Sequence, residues 1–474
     1  MSLWHGFLDG VGLASFVYFG VLNFIYAVFT YIAWSDITRH LRSLGHVDLQ
    51  EAFASPLTPG VSVLVPAYNE EAGIVESVRS LLALRYPRHE VIVVSDGSTD
   101  RTLEALDEAF DLAPVPLVLR DTLVSKSVRA TYVSRRDPSL RVLDKENGGK
   151  ADALNAGARV ARHPYICVID ADALVEEDAL LRVALPILDD EDLVIATGGI
   201  VRIANGCTID HGRIVDVRLP RNRLAVLQTV EYFRAFLIGR VGWSRARSLL
   251  IISGAFGLFR RSLVEAVGGW STETVGEDVE LVLRLHRYLR ERDEPYRISF
   301  VPDPVCWTEA PETFRALSRQ RRRWHTGLAQ ALWRHRRMIG NPVYGVVGLI
   351  ALPYFFLFEL LGPIAEVLGL GGTIVWWAVG GLSSLFFGVF LMIAFLLAIL
   401  LSIAALALEE FSFRRHARGR EVGRLLAYAV LENIGYRQLN GLWRLRALVE
   451  LVLRRPVRWG AQERRGIGAS SAGT

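Results

Sequence analysis

The chain is 474 residues long, 51% hydrophobic with a positive mean hydropathy, and carries a formal net charge of +4. That length has room for two or three ordinary domains, and the apolar content is high for a wholly water-soluble protein, so a membrane component is expected. Cys167, Cys207 and Cys306 stand far apart without CxxC or Cys/His ligand spacing, which argues against a zinc site or a disulfide framework. Arginine collects at residues 315–337, 412–420 and 444–465, each beside an apolar run, a pattern of positive-inside anchoring and not of nucleic-acid binding.

Residues 11–34 form an uncharged run long enough to cross a hydrocarbon core once. With no basic region before it and no small-residue cleavage site after it, it reads as a retained transmembrane helix, giving an N-terminal unit over 1–40. Arg39 and Arg42 then place the following segment in the cytoplasm. From residue 55 to 335 the pattern is α/β. The β-branched runs "VSVLVP" (61–66), "EVIVVS" (90–95) and "YICVID" (165–170) alternate with helical periodicity at 70–84 and 151–161. Such alternation argues for a mainly parallel sheet covered by helices, whose ligands sit at the carboxyl ends of the strands. Each of these strands runs straight into polar residues: "AYNEE", "DGSTD" and "DAD".

Beyond residue 342 the chain turns apolar, and 342–410 is assigned to transmembrane helices. Pro353, Glu359, Pro363 and Glu366 predict a kinked or partly interfacial path over 343–370, whereas the last part of 373–408 is the clearest span. "FRRHARGR" after it marks a cytoplasmic end. Residues 421–458 mix Leu, Tyr and Trp with charge and read as a re-entrant or interfacial amphipathic helix, and 459–474 as a disordered tail.

The candidate chemistry sits at the strand ends. In "VIDADAL", alternation turns Asp170 and Asp172 to one side, where they would converge on a hard cation or remain solvated loop acids. Asp96 lies in the Gly-containing turn "SDGSTD". Lysine occurs only at Lys126, Lys145 and Lys150. In "NGGK", Lys150 opens a helix, where the macrodipole disfavours a cation unless an anion is present, and a compact ammonium suits a phosphate oxygen. The alternative is an exposed first-turn residue, and Lys145 reads as a surface charge. Glu277 and Asp278 in "GED" begin another helix, and "QRRRW" (320–324) reads by itself as a juxtamembrane anchor.

Taken in order, "VPAYNEE", "SDGSTD", "NGGKADALNAG", "DAD", "GED" and "QRRRW", flanked by apolar helices, resemble the membrane-bound inverting family 2 glycosyltransferases. Cellulose synthase, hyaluronan synthase and the poly-N-acetylglucosamine synthases belong to that group, and the resemblance covers about residues 58–335. It implies a GT-A fold, a Rossmann-like mixed sheet, over 55–335 that binds a UDP-sugar, with UDP-GlcNAc or UDP-glucose first among the donors. By position, Asp96 would contact uracil or ribose, Tyr68 and Glu70 would lie on the nucleotide-sugar side, and Lys150 would touch the nucleotide. Asp170 and Asp172 match the DxD pair that holds Mg2+ or Mn2+, with Asp170 also on the donor. Asp278 matches the general base, with Glu277 beside it. Gln320, Arg323 and Trp324 match a QxxRW motif that closes over diphosphate and acceptor, and Ser253 and Gly254 of "ISGAF" resemble an acceptor-lining segment.

Ser95 departs from the pattern, because many relatives carry the first aspartate of a DDG pair there. The implied partners are a UDP-sugar, a carbohydrate or lipid-linked acceptor and the bilayer of a plasma (inner) membrane crossed several times, with the catalytic domain cytoplasmic. An accessory subunit or homo-oligomer is left open, and nucleic acid is not expected. Three readings follow: a synthase extending a β-linked polysaccharide, a transferase adding one sugar to a lipid, and a non-catalytic nucleotide-sugar-binding membrane protein.

Overall fold

In the computed structural model of the chain, which describes residues 2–44, 58–116, 118–210, 212–413 and 419–455, the three apolar runs lie side by side. They are β1 (Val61–Ala67), β2 (His89–Asp96) and, after β3 (Leu112–Val115), β4 (Val128–Ser134) and β5 (Leu140–Lys145), β6 (Tyr165–Ile169). The remaining strands are β7 (Leu174–Val175), β8 (Val194–Ile203), β9 (Thr208–Asp210), β10 (Arg213–Asp216), β11 (Phe256–Arg260) and β12 (Arg297–Thr308). Ten of them form one sheet in the order β3-β4-β5-β2-β1-β6-β11-β8-β12-β7, while β9 and β10 make a separate hairpin.

β1 pairs parallel with β2 and β6, β2 with β5, and β8 with β12. β11 runs antiparallel to both β6 and β8, and β3, β4 and β7 add antiparallel edges. The sheet is therefore mixed and not mainly parallel. Hydrophobic alternation detects the buried central strands, but the direction of a half-exposed edge such as β4, or of the short β11 entered from a long helical excursion, is a tertiary choice.

Helix α1 covers Ser2–Leu44, α2 Ile74–Leu82, α3 Thr102–Phe110 and α4 Lys150–Val160. The last of these, "KADALNAGARV", is built of small residues so that it can lie close on the sheet. A Cβ at Gly157 would stand 3.1 Å from Leu64 Cδ2 and 3.2 Å from Val94 Cγ2, so bulk there would lift the helix off β1 and β2. Its N-terminus is thereby held at the carboxyl ends of those strands, where the polar loops gather.

Helices α5 (Arg223–Phe233), α6 (Glu277–Arg290) and α7 (Phe314–Arg334) complete the α/β region, α7 being capped by Thr313, whose hydroxyl accepts from Ala316 N. Among the described residues two helices are long and apolar enough to cross a membrane, Gly12–Arg42 within α1 and Ser384–Phe413. Segments Val347–Leu360 and Gly362–Ala378 meet at a 49° bend and qualify only as one broken span or a re-entrant loop, at the position where prolines predicted a kink. The single amphipathic helix expected over 421–458 is instead two, Gly419–Leu431 and Arg437–Val452, broken where Ile434 is extended and Gly435 takes φ +90°. The tail expected over 459–474 lies outside the described residues.

Polar pairs fasten the α/β region to the apolar helices. His40 of α1 bonds Asp303 at 2.6 Å, Arg245 pairs with Asp36, and Arg202 on β8 pairs with Glu409 at the end of the last apolar helix. The sheet thus sits at a defined place under the helices.

Candidate active site

The loops after β1, β2 and β6 open onto one cavity of about 970 Å³. Tyr68 and Glu70 enter it from β1, Asp96 from β2, and Asp170 and Asp172 from β6. Lys150 comes from the start of α4, Ser253 and Gly254 from the segment before β11, and Glu277 and Asp278 from the first turn of α6. Gln320, Arg323 and Trp324 of α7 close the opposite side. All of these candidate residues line one space, although they are spread over more than half of the chain.

The floor under the loops that follow β2 and β5 is a buried charge cluster. Lys145 is fully buried, its ammonium 2.5 Å from Asp96 Oδ1 and 2.7 Å from Asp152 Oδ1. This overturns the reading of Lys145 as a surface charge. The register of β2 and β5 places Lys145 directly opposite Asp96, a pairing that becomes visible only once the strands are aligned. Asp96 Oδ1 also accepts from Gly148 N at 3.0 Å, and Oδ2 accepts from Gly149 N at 2.7 Å. Its carboxylate is therefore turned into the "NGGK" loop, whose backbone it holds. Gly149 has φ +87°, which glycine adopts without strain.

Lys150 finds anions within the protein. Its ammonium stands 2.6 Å from Asp170 Oδ1 and 3.3 Å from Glu277 Oε1, and donates to Gly254 O at 3.1 Å. Burial alone would lower its pKa, but Asp170 and Glu277 outweigh burial and hold it above the ordinary lysine value. Burial pushes Glu277 up, against the pull of Lys150. Asp278 Oδ2 accepts from Gly254 N at 3.1 Å, and its Oδ1 from Val279 N at 2.8 Å. Lys150 and Asp278 thus meet at Gly254, one on its carbonyl and the other on its amide. A Cβ at Gly254 would lie 2.9 Å from Lys150 Nζ and 3.4 Å from Asp278 Oδ2, so only glycine leaves both atoms where they are.

Helix α7 is brought against this cluster by a contact between backbones. A Cβ on Gly276 would stand 2.9 Å from Gly327 Cα, and Val275 N donates to Gln330 Oε1 at 3.0 Å. The Gly276–Gly327 approach sets how far Trp324 and Arg323 stand from Asp278.

Residues 62–268 match the family model Glycosyl transferase family 2. Among curated proteins, the poly-beta-1,6-N-acetyl-D-glucosamine synthase of Staphylococcus epidermidis is 31% identical over 278 residues, and that of Staphylococcus aureus strain COL 33% identical. Each alignment covers 58% of this chain and 56% of the relative, so the chain spans about half the length of the curated relatives it matches. A solved mannosyltransferase from Pyrobaculum calidifontis, in complex with GDP-Man and Mn2+, aligns over 88% of this chain and 99% of its own at 21% identity, with a TM-score of 0.48.

The wall facing the apolar helices draws in several residues that the motifs did not mark. Arg321 forms a bidentate pair with Glu231 at 2.7 and 2.8 Å, and Glu231 also accepts from Tyr436 at 2.8 Å. The Arg321 guanidinium lies 4.7 Å from the Trp324 ring centroid and steadies that half-exposed ring. Arg444 reaches Glu359 at 3.2 Å, and burial together with Arg444 pushes His325 down to about 3, so a neutral imidazole stands in the wall. Gln320 is buried with its Oε1 unpartnered among the described residues. A sequence signal for Arg321 existed, since it lies inside "QRRRW", but nothing in the sequence joins it to Glu231.

Proposed function

We propose that this chain is a membrane glycosyltransferase that moves a sugar from a UDP-sugar, with inversion, onto a growing β-linked polysaccharide. The observation that carries this is the junction at Gly254, where a base candidate, Asp278, and a cation candidate, Lys150, face the DxD carboxylates across one cavity. N-acetylglucosamine is the favoured sugar, in keeping with the product in the names of the staphylococcal relatives. UDP-glucose is the alternative donor.

In this reading Tyr68, Glu70 and the Asp96-held loop receive the nucleoside, and Lys150 faces the diphosphate. Asp170 and Asp172, which both line the cavity, would be the carboxylates to hold Mg2+ or Mn2+. Such an ion, when bound, neutralises the leaving diphosphate. Asp278 takes the proton of an acceptor hydroxyl while the oxygen attacks the anomeric carbon from the face opposite the phosphate. The new C–O bond forms as the old one breaks, UDP leaves, and an α-linked donor yields a β-linkage. Trp324 offers the acceptor ring a flat apolar face, and Gln320 and Arg323 border the diphosphate. The cavity continues to Glu359, Asn440 and Arg444 beside the apolar helices, which suits an acceptor that leaves toward a plasma membrane while the catalytic domain stays in the cytoplasm.

The test is the full chain purified in detergent with UDP-GlcNAc and Mg2+ or Mn2+. UDP release with a product that lengthens over time is expected. A single sugar added to a lipid would replace polymerisation by the second reading, and binding of UDP-GlcNAc without any turnover would defeat both.

A further inference from the structure

Arg240 ends a π-helical turn, Arg234–Arg240, between α5 and the segment that carries Ser253 and Gly254. Such wide turns disturb the regular ladder and recur at functional sites. The turn sets Arg240 in the wall of the same cavity as Asp278. Its Nη1 is buried and has no hydrogen-bond partner among the described residues. The guanidinium lies 4.1 Å from the Phe236 ring centroid, so one face is covered and its edge is left to donate.

Two other arginines of this wall have carboxylate partners, Arg321 in Glu231 and Arg444 in Glu359, and Arg234, at the start of the same turn but outside the cavity lining, pairs with Glu432 at 2.7 Å. A buried guanidinium donor without an acceptor is costly, and it persists where a ligand supplies the missing lone pair. Arginine has donors only, so that ligand must present oxygen. Burial draws Arg240 down to about 10, against the pull of Asp278 and Tyr232. Arg240 lines the cavity together with Asp278, and the function proposed above gives the donor's phosphates to Lys150.

Resting on the function proposed above, we infer that Arg240 binds the acceptor sugar, donating from Nη1 to a hydroxyl or acetamido oxygen next to the hydroxyl that Asp278 deprotonates. The class of ligand is an oxygen-rich saccharide at the acceptor end of the cavity. Neither the DxD motif nor QxxRW contains this residue.

The test compares wild type, Arg240→Met and Arg240→Lys, each as the full chain in detergent. UDP affinity is measured by calorimetry, and initial rates are taken at saturating UDP-GlcNAc against a short β-1,6-linked N-acetylglucosamine oligosaccharide. Arg240→Met should raise the acceptor KM about tenfold or more, the size of a lost hydrogen bond to a charged group, while UDP affinity is unchanged. Arg240→Lys should recover part of the loss. An unchanged acceptor KM overturns the inference, as does a UDP affinity that falls in step with it, which would move Arg240 to the diphosphate. Retained UDP binding also reports folding, and Arg240→Gln carries the same readout if the methionine variant does not fold. A wild type that releases no UDP from any UDP-sugar brings down the functional reading itself, an outcome separate from either result at Arg240.

Discussion

The two sides of the cavity are built in different ways. The side proposed to bind the donor is made of short loops at neighbouring strand ends, held by backbone amides and one buried cluster, Lys145 with Asp96 and Asp152. The side proposed to bind the acceptor is made of side chains from helices far apart in the chain, joined by ion pairs such as Arg321–Glu231 and Arg444–Glu359. Tyr436 and Glu231 are separated by 205 positions. A loop at a strand end needs particular residues at fixed spacing and so leaves a motif, whereas an ion pair between distant helices needs only two opposite charges and leaves none.

Substitutions can break that comparison in order of effect. Asp278→Asn, which removes the base but keeps the shape, should lower kcat by roughly 10²–10⁴-fold with UDP affinity retained. A variant with normal turnover would displace Asp278 from its role. Lys145→Met leaves the Asp96 and Asp152 carboxylates buried and unpaired, so a loss of about 3–5 kcal/mol in stability is expected, read by thermal unfolding in detergent. Its donor KM should rise while the acceptor KM stays, since the cluster holds the "NGGK" loop. Equal changes in both would erase the division between the two sides.

Gly254→Ala sits on that division. The added methyl meets Lys150 Nζ and Asp278 Oδ2 together, and about 1–3 kcal/mol of transition-state stabilisation should be lost, seen as a fall in kcat/KM. Glu231→Gln tests the acceptor wall. Loss of one charge from the Arg321 pair should cost about 1–3 kcal/mol in stability and weaken acceptor binding by loosening the support of Trp324.

Acid should act on the same wall through His325. Its folded pKa is about 3 against an ordinary 6.5, so below 6.5 the unfolded chain binds the proton more readily than the folded one. Stability should therefore fall as pH drops from 6.5 toward 3, by at most about 1.4 kcal/mol per pH unit for this group, and His325→Gln should flatten that slope. A slope unchanged by the substitution would take His325 out of the account. At the small end, Arg101 and Glu108 form an exposed pair at 2.7 Å, and Arg101→Ala should change stability by less than about 1 kcal/mol.

Much of the donor side is legible in the sequence. β1, β2 and β6 lie within a residue or so of the apolar runs, and the polar loops that follow them all reach the cavity. Lys145 reads as a surface charge because it stands among polar residues, "DKEN", and only the pairing of β5 with β2 shows that it points at Asp96. The acceptor wall is legible only where α7 supplies it. Arg240, in "FLIGRVGW", lies outside every motif and every arginine cluster that the sequence marks.

The sequence by itself determined the α/β pattern, the apolar helices on either side, and the identity of the polar loops, because hydrophobic period, run length and motif spacing are properties of the chain read locally. Tertiary structure alone decided the mixed direction of the sheet, the Gly276–Gly327 approach that sets α7 against the base, and which charges answer each other across the wall. Those outcomes depend on where distant segments come to rest. A buried charge is stable only against the particular partner that folding brings to it.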